Sequence, residues 1–129
     1  MRLKNFSLPF GGQIFKALSD EARIRIMHLL YRNKELTISD LELEHILDFT
    51  QTKTSRHITY LKNSNIVNAR KVDQWVFYGI REEVEDIISQ IFTFLNKDSV
   101  LQKDQELYEI LKSNRELAEN RVQNRGWIS

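Results

Sequence analysis

Cysteine is absent from this chain of 129 residues. Disulfides, thiolate metal sites and thiol redox sensing by the chain are thereby excluded. A single proline and four glycines exclude a linker or a low-complexity polymer. No run approaches the roughly 20 apolar residues that a bilayer crossing needs. The opening MRLKNFSLPFGG has no long apolar stretch of the signal-peptide kind, so a cytoplasmic location is expected. Equally missing are a phosphate-binding glycine loop and a nucleophile with a partnered base, which argues against an enzyme. The three histidines, His28, His45 and His57, fall on three different predicted helices. A structural metal site needs three or four converging ligands, so no metal or other cofactor is expected.

What is present suits one domain with a helical extension: 41% hydrophobic and 29% charged residues. The net charge of +1 conceals a segregation. Between Thr50 and Arg81, six basic residues (Lys53, Arg56, Lys62, Arg70, Lys71, Arg81) stand against Asp73 alone, a net +5. From Glu82 to Glu119, ten acidic residues stand against four basic ones, a net −6. A local cationic footprint inside a nearly neutral protein points to nucleic acid as partner.

Hydrophobic spacing orders the elements. Residues 1–12 read as a flexible segment ending at Gly11-Gly12, and a helix bearing Ile14, Phe15 and Leu18 follows. Ser19 is the expected N-cap of a helix from Asp20 to Tyr31, whose apolar stripe of Ile24, Met27, Leu30 and Tyr31 is widened by Ile26 and Leu29. Leu36 to Ile38 reads as extended. Ser39 and the pair Thr37/Asp40 compete to cap the next helix, which carries Leu41, Leu43, His45, Ile46 and Leu47. Asp48-Phe49 is a turn, and Thr50 caps a second short helix with Thr54, Ile58 and Leu61 facing inward. Asn63-Ser64-Asn65 ends it, since Asn accepts the left-handed conformation.

Ile66–Lys71 and Trp75–Ile80 read as a hairpin with its tip at Val72-Asp73-Gln74, and Trp75, Phe77 and Tyr78 as packing residues. Val84, Ile87, Ile88, Ile91, Phe92 and Leu95 make an apolar helix face too large for a solvated helix. Asn96–Ser99 breaks the pattern, which resumes to about Ala118 before a tail expected to fray. The fold class expected is mainly α with a small β-hairpin: a winged helix-turn-helix over 13–95, flanked by N- and C-terminal dimerisation helices, with 96–129 as an extension. That extension either lengthens a dimer or folds back over the domain.

A short polar helix followed by a ribbon with an Arg-Lys pair suits duplex DNA, because a helix enters the major groove while a ribbon grips the neighbouring backbone. FKALSDEARIRIMHLL resembles the opening signature of the ArsR-type bacterial regulators, at Leu18, Asp20, Arg23, Ile26, Met27 and Leu30. TQTKTSRHITYLKNSNIV resembles that family's recognition helix at Thr50, Gln51, Thr52, Thr54, Ser55, His57, Ile58 and Leu61, and WVFYGI its second wing strand. The resemblance covers roughly residues 12–95. Two departures stand out: Asp73-Gln74 where a wing glycine is usual, and Thr54 where valine is common.

The resemblance implies a homodimeric regulator of double-stranded DNA, more often a repressor, reading a palindromic operator. Its DNA-contacting candidates are Gln51, Thr52, Lys53, Ser55, Arg56, His57 and Thr59 on the helix, with Arg70 and Lys71 on the wing. Its dimerisation candidates are Ile14, Phe15, Leu18, Val84, Ile87, Ile88, Ile91, Phe92 and Leu95. Many such proteins sense metals through a Cys-x-Cys pair or an Asp/His cluster. Thr37 and Ser39 stand at the former, and the latter lacks histidine. A small organic effector is left open. The competing reading is a winged-helix protein-interaction module that has lost DNA binding.

Overall fold

A computed structural model of the chain describes residues 5–41 and 46–128, with side chains described as far as 115. Leu43 and His45 lie outside the described residues. The order is α1 (Leu8–Ala17), α2 (Glu21–Asn33), β1 (Glu35–Leu36), α3 (Ile38–Leu41), α4 (Gln51–Asn63), β2 (Val67–Val72), β3 (Trp75–Ile80), a 3-10 turn (Glu82–Val84), α5 (Glu85–Leu95) and α6 (Ser99–Ile128).

Local chemistry sets the boundaries. Helix α1 begins inside the segment expected to be flexible. The Ser7 hydroxyl accepts from Phe10 N, Pro9 occupies the first turn, and Gly11 and Gly12 are helical. Asp20, rather than Ser19, caps α2: its Oδ1 accepts from Ala22 N at 2.8 Å and Arg23 N at 3.2 Å, whereas the Ser19 hydroxyl turns back to Lys16 O. Of the two candidate caps for α3, Thr37 prevails through a reciprocal box. Asp40 N donates to Thr37 Oγ1, and Thr37 N donates to Asp40 Oδ2, both at 3.0 Å.

Helix α2 is the axis of the core. Ile26, Met27, Leu29 and Leu30 are all buried, because α4, β3, α5 and α6 pack around it. One apolar cluster runs from Ile14 through Leu41, Ile58, Leu61, Val84, Ile88 and Phe92 to Leu101 and Tyr108. The first half of α6 therefore shares the core with residues 13–95 and folds back over them. Its backbone continues as helix to Ile128, past the expected end near Ala118.

The sheet is three-stranded and antiparallel in the order β1-β3-β2, with Glu35 opposite Gly79 and Arg70 opposite Phe77. Gly79 allows a close approach at this crossing: a Cβ there would lie 3.0 Å from Lys34 O, at the point where Lys34 (φ 69°) turns the chain from α2 into β1. Asp73 supplies the positive φ (56°) of the two-residue wing turn that a glycine would otherwise provide. Among the described residues, no helix is long and apolar enough to cross a membrane.

Candidate nucleic-acid interface

Helix α4 is fixed at both ends by its own sequence. Thr50 Oγ1 accepts from Lys53 N at 3.1 Å. At the other end Asn65 takes φ 62°, Asn65 N reaches Lys62 O and Ile66 N reaches Leu61 O, each at 3.1 Å. These paired bonds, with Leu61 and Ile66 both buried, form a Schellman closure that sets the angle between α4 and the wing. Thr54 is fully buried, and its hydroxyl is satisfied by Thr50 O at 3.2 Å, so the exchange for valine leaves no orphaned polar atom.

The rest of the molecule holds α4 from behind. Gln13 on α1 donates to Tyr60 Oη (3.2 Å) and Ser64 Oγ (2.8 Å). Arg23 lies over the Tyr60 ring, 4.3 Å from its centre, and donates to Ala17 O and Lys16 O. Arg23 thus ties the C-terminal end of α1 to α4 while satisfying the Ala17 carbonyl that helix geometry leaves free. The sequence pattern flagged Arg23 but gave no indication of this role.

The candidates divide on the structure. Gln51, Thr52, Arg56 and Thr59 are exposed along one face of α4, and Ser55 is half-buried beside them. Lys53 curls back, its ammonium 4.2 Å from the centre of the Phe49 ring. His57 is turned inward at 9% exposure, 6.4 Å from Phe49. Burial pushes its pKa below the ordinary value, with Arg23, Lys53 and Arg56 adding to the shift against Asp20. In the free chain the ring packs near Phe49, and burial favours its neutral form.

On the wing, Lys71 is exposed, but Arg70 is engaged. Its Nε and Nη2 donate to the two carboxylate oxygens of Glu35 at 3.0 Å each, and its guanidinium lies 5.3 Å from the Phe77 ring centre. Arg81 pairs likewise with Glu83, at 2.7 Å. Two of the six cations in the basic segment are therefore matched by carboxylates outside it. Phe77 and Tyr78 are half-buried, but Trp75 stays 49% exposed. The Glu35 partnership was hidden because a strand of only two residues carries almost no periodic signal.

The dimerisation candidates divide as well. Ile14, Val84, Ile88 and Phe92 are buried within the single chain. Phe92 stacks on Tyr31 at 5.3 Å and meets His28 edge-on at 5.2 Å. Phe15 is 69% exposed, and Leu18, Ile87, Ile91 and Leu95 are half-buried. Phe94 at 87% and Leu8 at 89% join the exposed apolar set.

Thr37 and Ser39 offer hydroxyls where a metal would need thiolates, and Thr37 is committed to its capping box. Among the described residues, no three His, Asp or Glu side chains converge to hold a metal ion.

The family model described as "Bacterial regulatory protein, arsR family" matches residues 20–69. The arsenic resistance transcriptional regulator ArsR1 of Pseudomonas putida is 39% identical over 71 residues, 55% of this chain and 54% of that protein. The chain thus spans about half the length of that relative. The arsenical resistance operon repressor of Bacillus subtilis is 33% identical over 79 residues, 60% of this chain and 73% of that one. Among solved structures, HlyU from Vibrio cholerae aligns with a TM-score of 0.59 at 30% identity, covering 67% of this chain and 91% of its own. The winged helix-turn-helix DNA-binding domain Mb0332 from Mycobacterium bovis aligns with a TM-score of 0.61 at 22% identity, covering 70% of this chain and 82% of that one, and has the same fold.

Proposed function

The chain belongs to the arsR family of bacterial regulatory proteins, and from that membership we propose that it is a sequence-specific regulator of double-stranded DNA, acting as a homodimeric repressor without metal sensing. The observation that carries this reading is the two-sidedness of α4. Thr54, His57, Ile58 and Leu61 anchor one side in the core, while Gln51, Thr52, Arg56 and Thr59 stand exposed on the other. A helix held rigidly from behind, with uncommitted polar side chains in front, is what major-groove readout needs. Gln suits adenine and Arg suits guanine as bidentate partners. Thr and Ser suit bases or phosphates. Lys71 supplies a backbone contact beside them.

One α4 covers few base pairs, so two copies on a twofold axis read an inverted repeat, with half-sites about 34–36 Å apart or a multiple of that. Phe15 with Ile87, Ile91 and Leu95 is the pairing surface that the single chain leaves incompletely covered. Such a dimer acts where the chromosome is, in the cytoplasm. It silences a promoter by occupying it. The interaction-module alternative is disfavoured by the open polar face of α4.

Selection of bound sites from a random duplex pool tests the proposal. Enrichment of an inverted repeat is the expected result, and recovery of an unenriched pool would refute it.

A further inference from the structure

The wing that flanks α4 carries Arg70 and Lys71 together with Asp73 at its turn, and β1 adds Glu35 at its edge. Two cations and two carboxylates leave this element without net charge, although the hairpin sequence alone reads as basic. The pairing is specific. Arg70 is held by Glu35 through parallel N–H···O bonds from Nε and Nη2, both at 3.0 Å. The Glu35 carboxyl sits below its ordinary pKa because of the Arg70 hydrogen bond. It is therefore ionised at neutral pH. This fork-to-fork geometry is the one a guanidinium adopts on a phosphate.

We propose that Glu35 is an internal stand-in for a DNA phosphate, so that the Arg70 contact is exchanged, not gained, when the wing meets duplex. The inference rests on the duplex-binding reading above and specifies how one of its contacts is regulated. Two observations support it. Both side chains stay open to solvent, at 58% and 43% exposure, so the pair is screened and weakly held. The Phe77 ring beside the guanidinium keeps Arg70 on the sheet face when the carboxylate lets go.

The consequence is thermodynamic. A cation that neutralises a phosphate releases a condensed counterion, which steepens the salt dependence of binding by about 0.9 per phosphate. When Arg70 leaves Glu35 for a phosphate, the bared carboxylate is left beside the duplex, where it retains a cation that the phosphate would otherwise release. Arg70 then adds contact geometry at the wing without adding to the salt slope, and Glu35 limits attachment to arbitrary duplex.

The test is a double-mutant cycle in slope, measured as the salt dependence of binding to a short mixed-sequence duplex by the full chain. Arg70→Ala is expected to leave the slope unchanged in the natural background. Glu35→Gln is expected to steepen it by about 0.9 and to tighten low-salt binding several-fold. Adding Arg70→Ala to Glu35→Gln should remove that increment. Both side chains are exposed, and circular dichroism of each variant checks the fold. A slope that falls by about 0.9 with Arg70→Ala alone, or one that Glu35→Gln does not change, overturns the inference while leaving duplex binding intact. No binding by the natural chain at any salt sinks the duplex reading itself, and the inference with it.

Discussion

Arg25 on α2 and Asp104 on α6 are joined by two hydrogen bonds of 2.9 Å, from Nε to Oδ2 and from Nη2 to Oδ1. The Asp104 side chain is 4% exposed and that of Arg25 24%. The hydrogen bond to Asp104 raises the Arg25 pKa further above its ordinary value. One residue further along α6, Gln105 exchanges amide hydrogen bonds with Asn33 at 2.7 and 3.0 Å. Arg115 then reaches Asp40 Oδ1 at 2.9 Å, on the carboxylate that closes the α3 capping box. Helix α6 is thereby fastened to the axis of the core and to the first helix of the helix-turn-helix.

Asp104→Ala should leave the Arg25 guanidinium half-buried without its anion and free the start of α6. A loss of about 1–3 kcal/mol is expected, lower than for a fully buried pair because water reaches Arg25. Denaturant melts report the loss, and hydrogen exchange should localise it to residues 99–115. An unchanged melt would mean that α6 is not fastened here.

Among the described residues, both ring nitrogens of His28 lack hydrogen-bond partners, at 1% exposure. Burial pushes its pKa below the ordinary 6.5, with Arg32 adding to the shift against Asp104 and Asp98. The unfolded chain binds the proton more readily, so stability is complete above 6.5 and falls as the pH drops from there through the folded value. His57 acts in the same direction. His28→Leu should raise stability by about 1 kcal/mol at neutral pH and flatten part of the acid limb. Melting temperature followed from pH 8 to pH 5 is the measurement, and an unaltered acid limb would contradict the assignment.

Arg56 is exposed on α4 with no hydrogen-bond or ion-pair partner among the described residues. Arg56→Ala should weaken operator binding by about 1–3 kcal/mol and relax the preference at one base pair. Titration against a selected site and its single-base variants reads both effects. Full retention of affinity and preference would remove Arg56 from the reader.

Phe15 and Phe92 offer a contrast that sequence spacing alone does not reveal. Phe15→Glu should abolish self-association with little change in the fold of the single chain. Phe92→Ala should cost about 3–5 kcal/mol through loss of core packing. Sedimentation and thermal melts separate the two, and a Phe15→Glu variant that still dimerises would relocate the pairing surface.

In the single chain, a methyl group added at Gly12 meets nothing within 4 Å. Gly12→Ala should therefore stabilise α1 by about 0.5–1 kcal/mol. If the same change weakens self-association, a partner backbone approaches closely at that point.

The sequence by itself determined what depends on near neighbours along the chain. Thr50 and Asn65 delimit α4, the spacing of Thr54, Ile58 and Leu61 orients it, and alternating β-formers on either side of Asp73-Gln74 make the wing. These are short-range effects of capping, periodicity and turn chemistry. Ser19, expected to cap α2, gave way to Asp20, and geometry settled the open competition between Thr37 and Ser39. Only the tertiary structure decided which apolar positions of α1 and α5 are covered within the chain. Phe92 is spent on Tyr31 and His28, while Phe15 and Phe94 are left outside. It also decided which charges are free. Glu35 and Arg70 are 35 residues apart in sequence, and Arg25 and Asp104 are 79 apart. No local pattern encodes such pairs, because each depends on where packing brings two distant elements, and Coulomb attraction acts on distance in space, not along the chain.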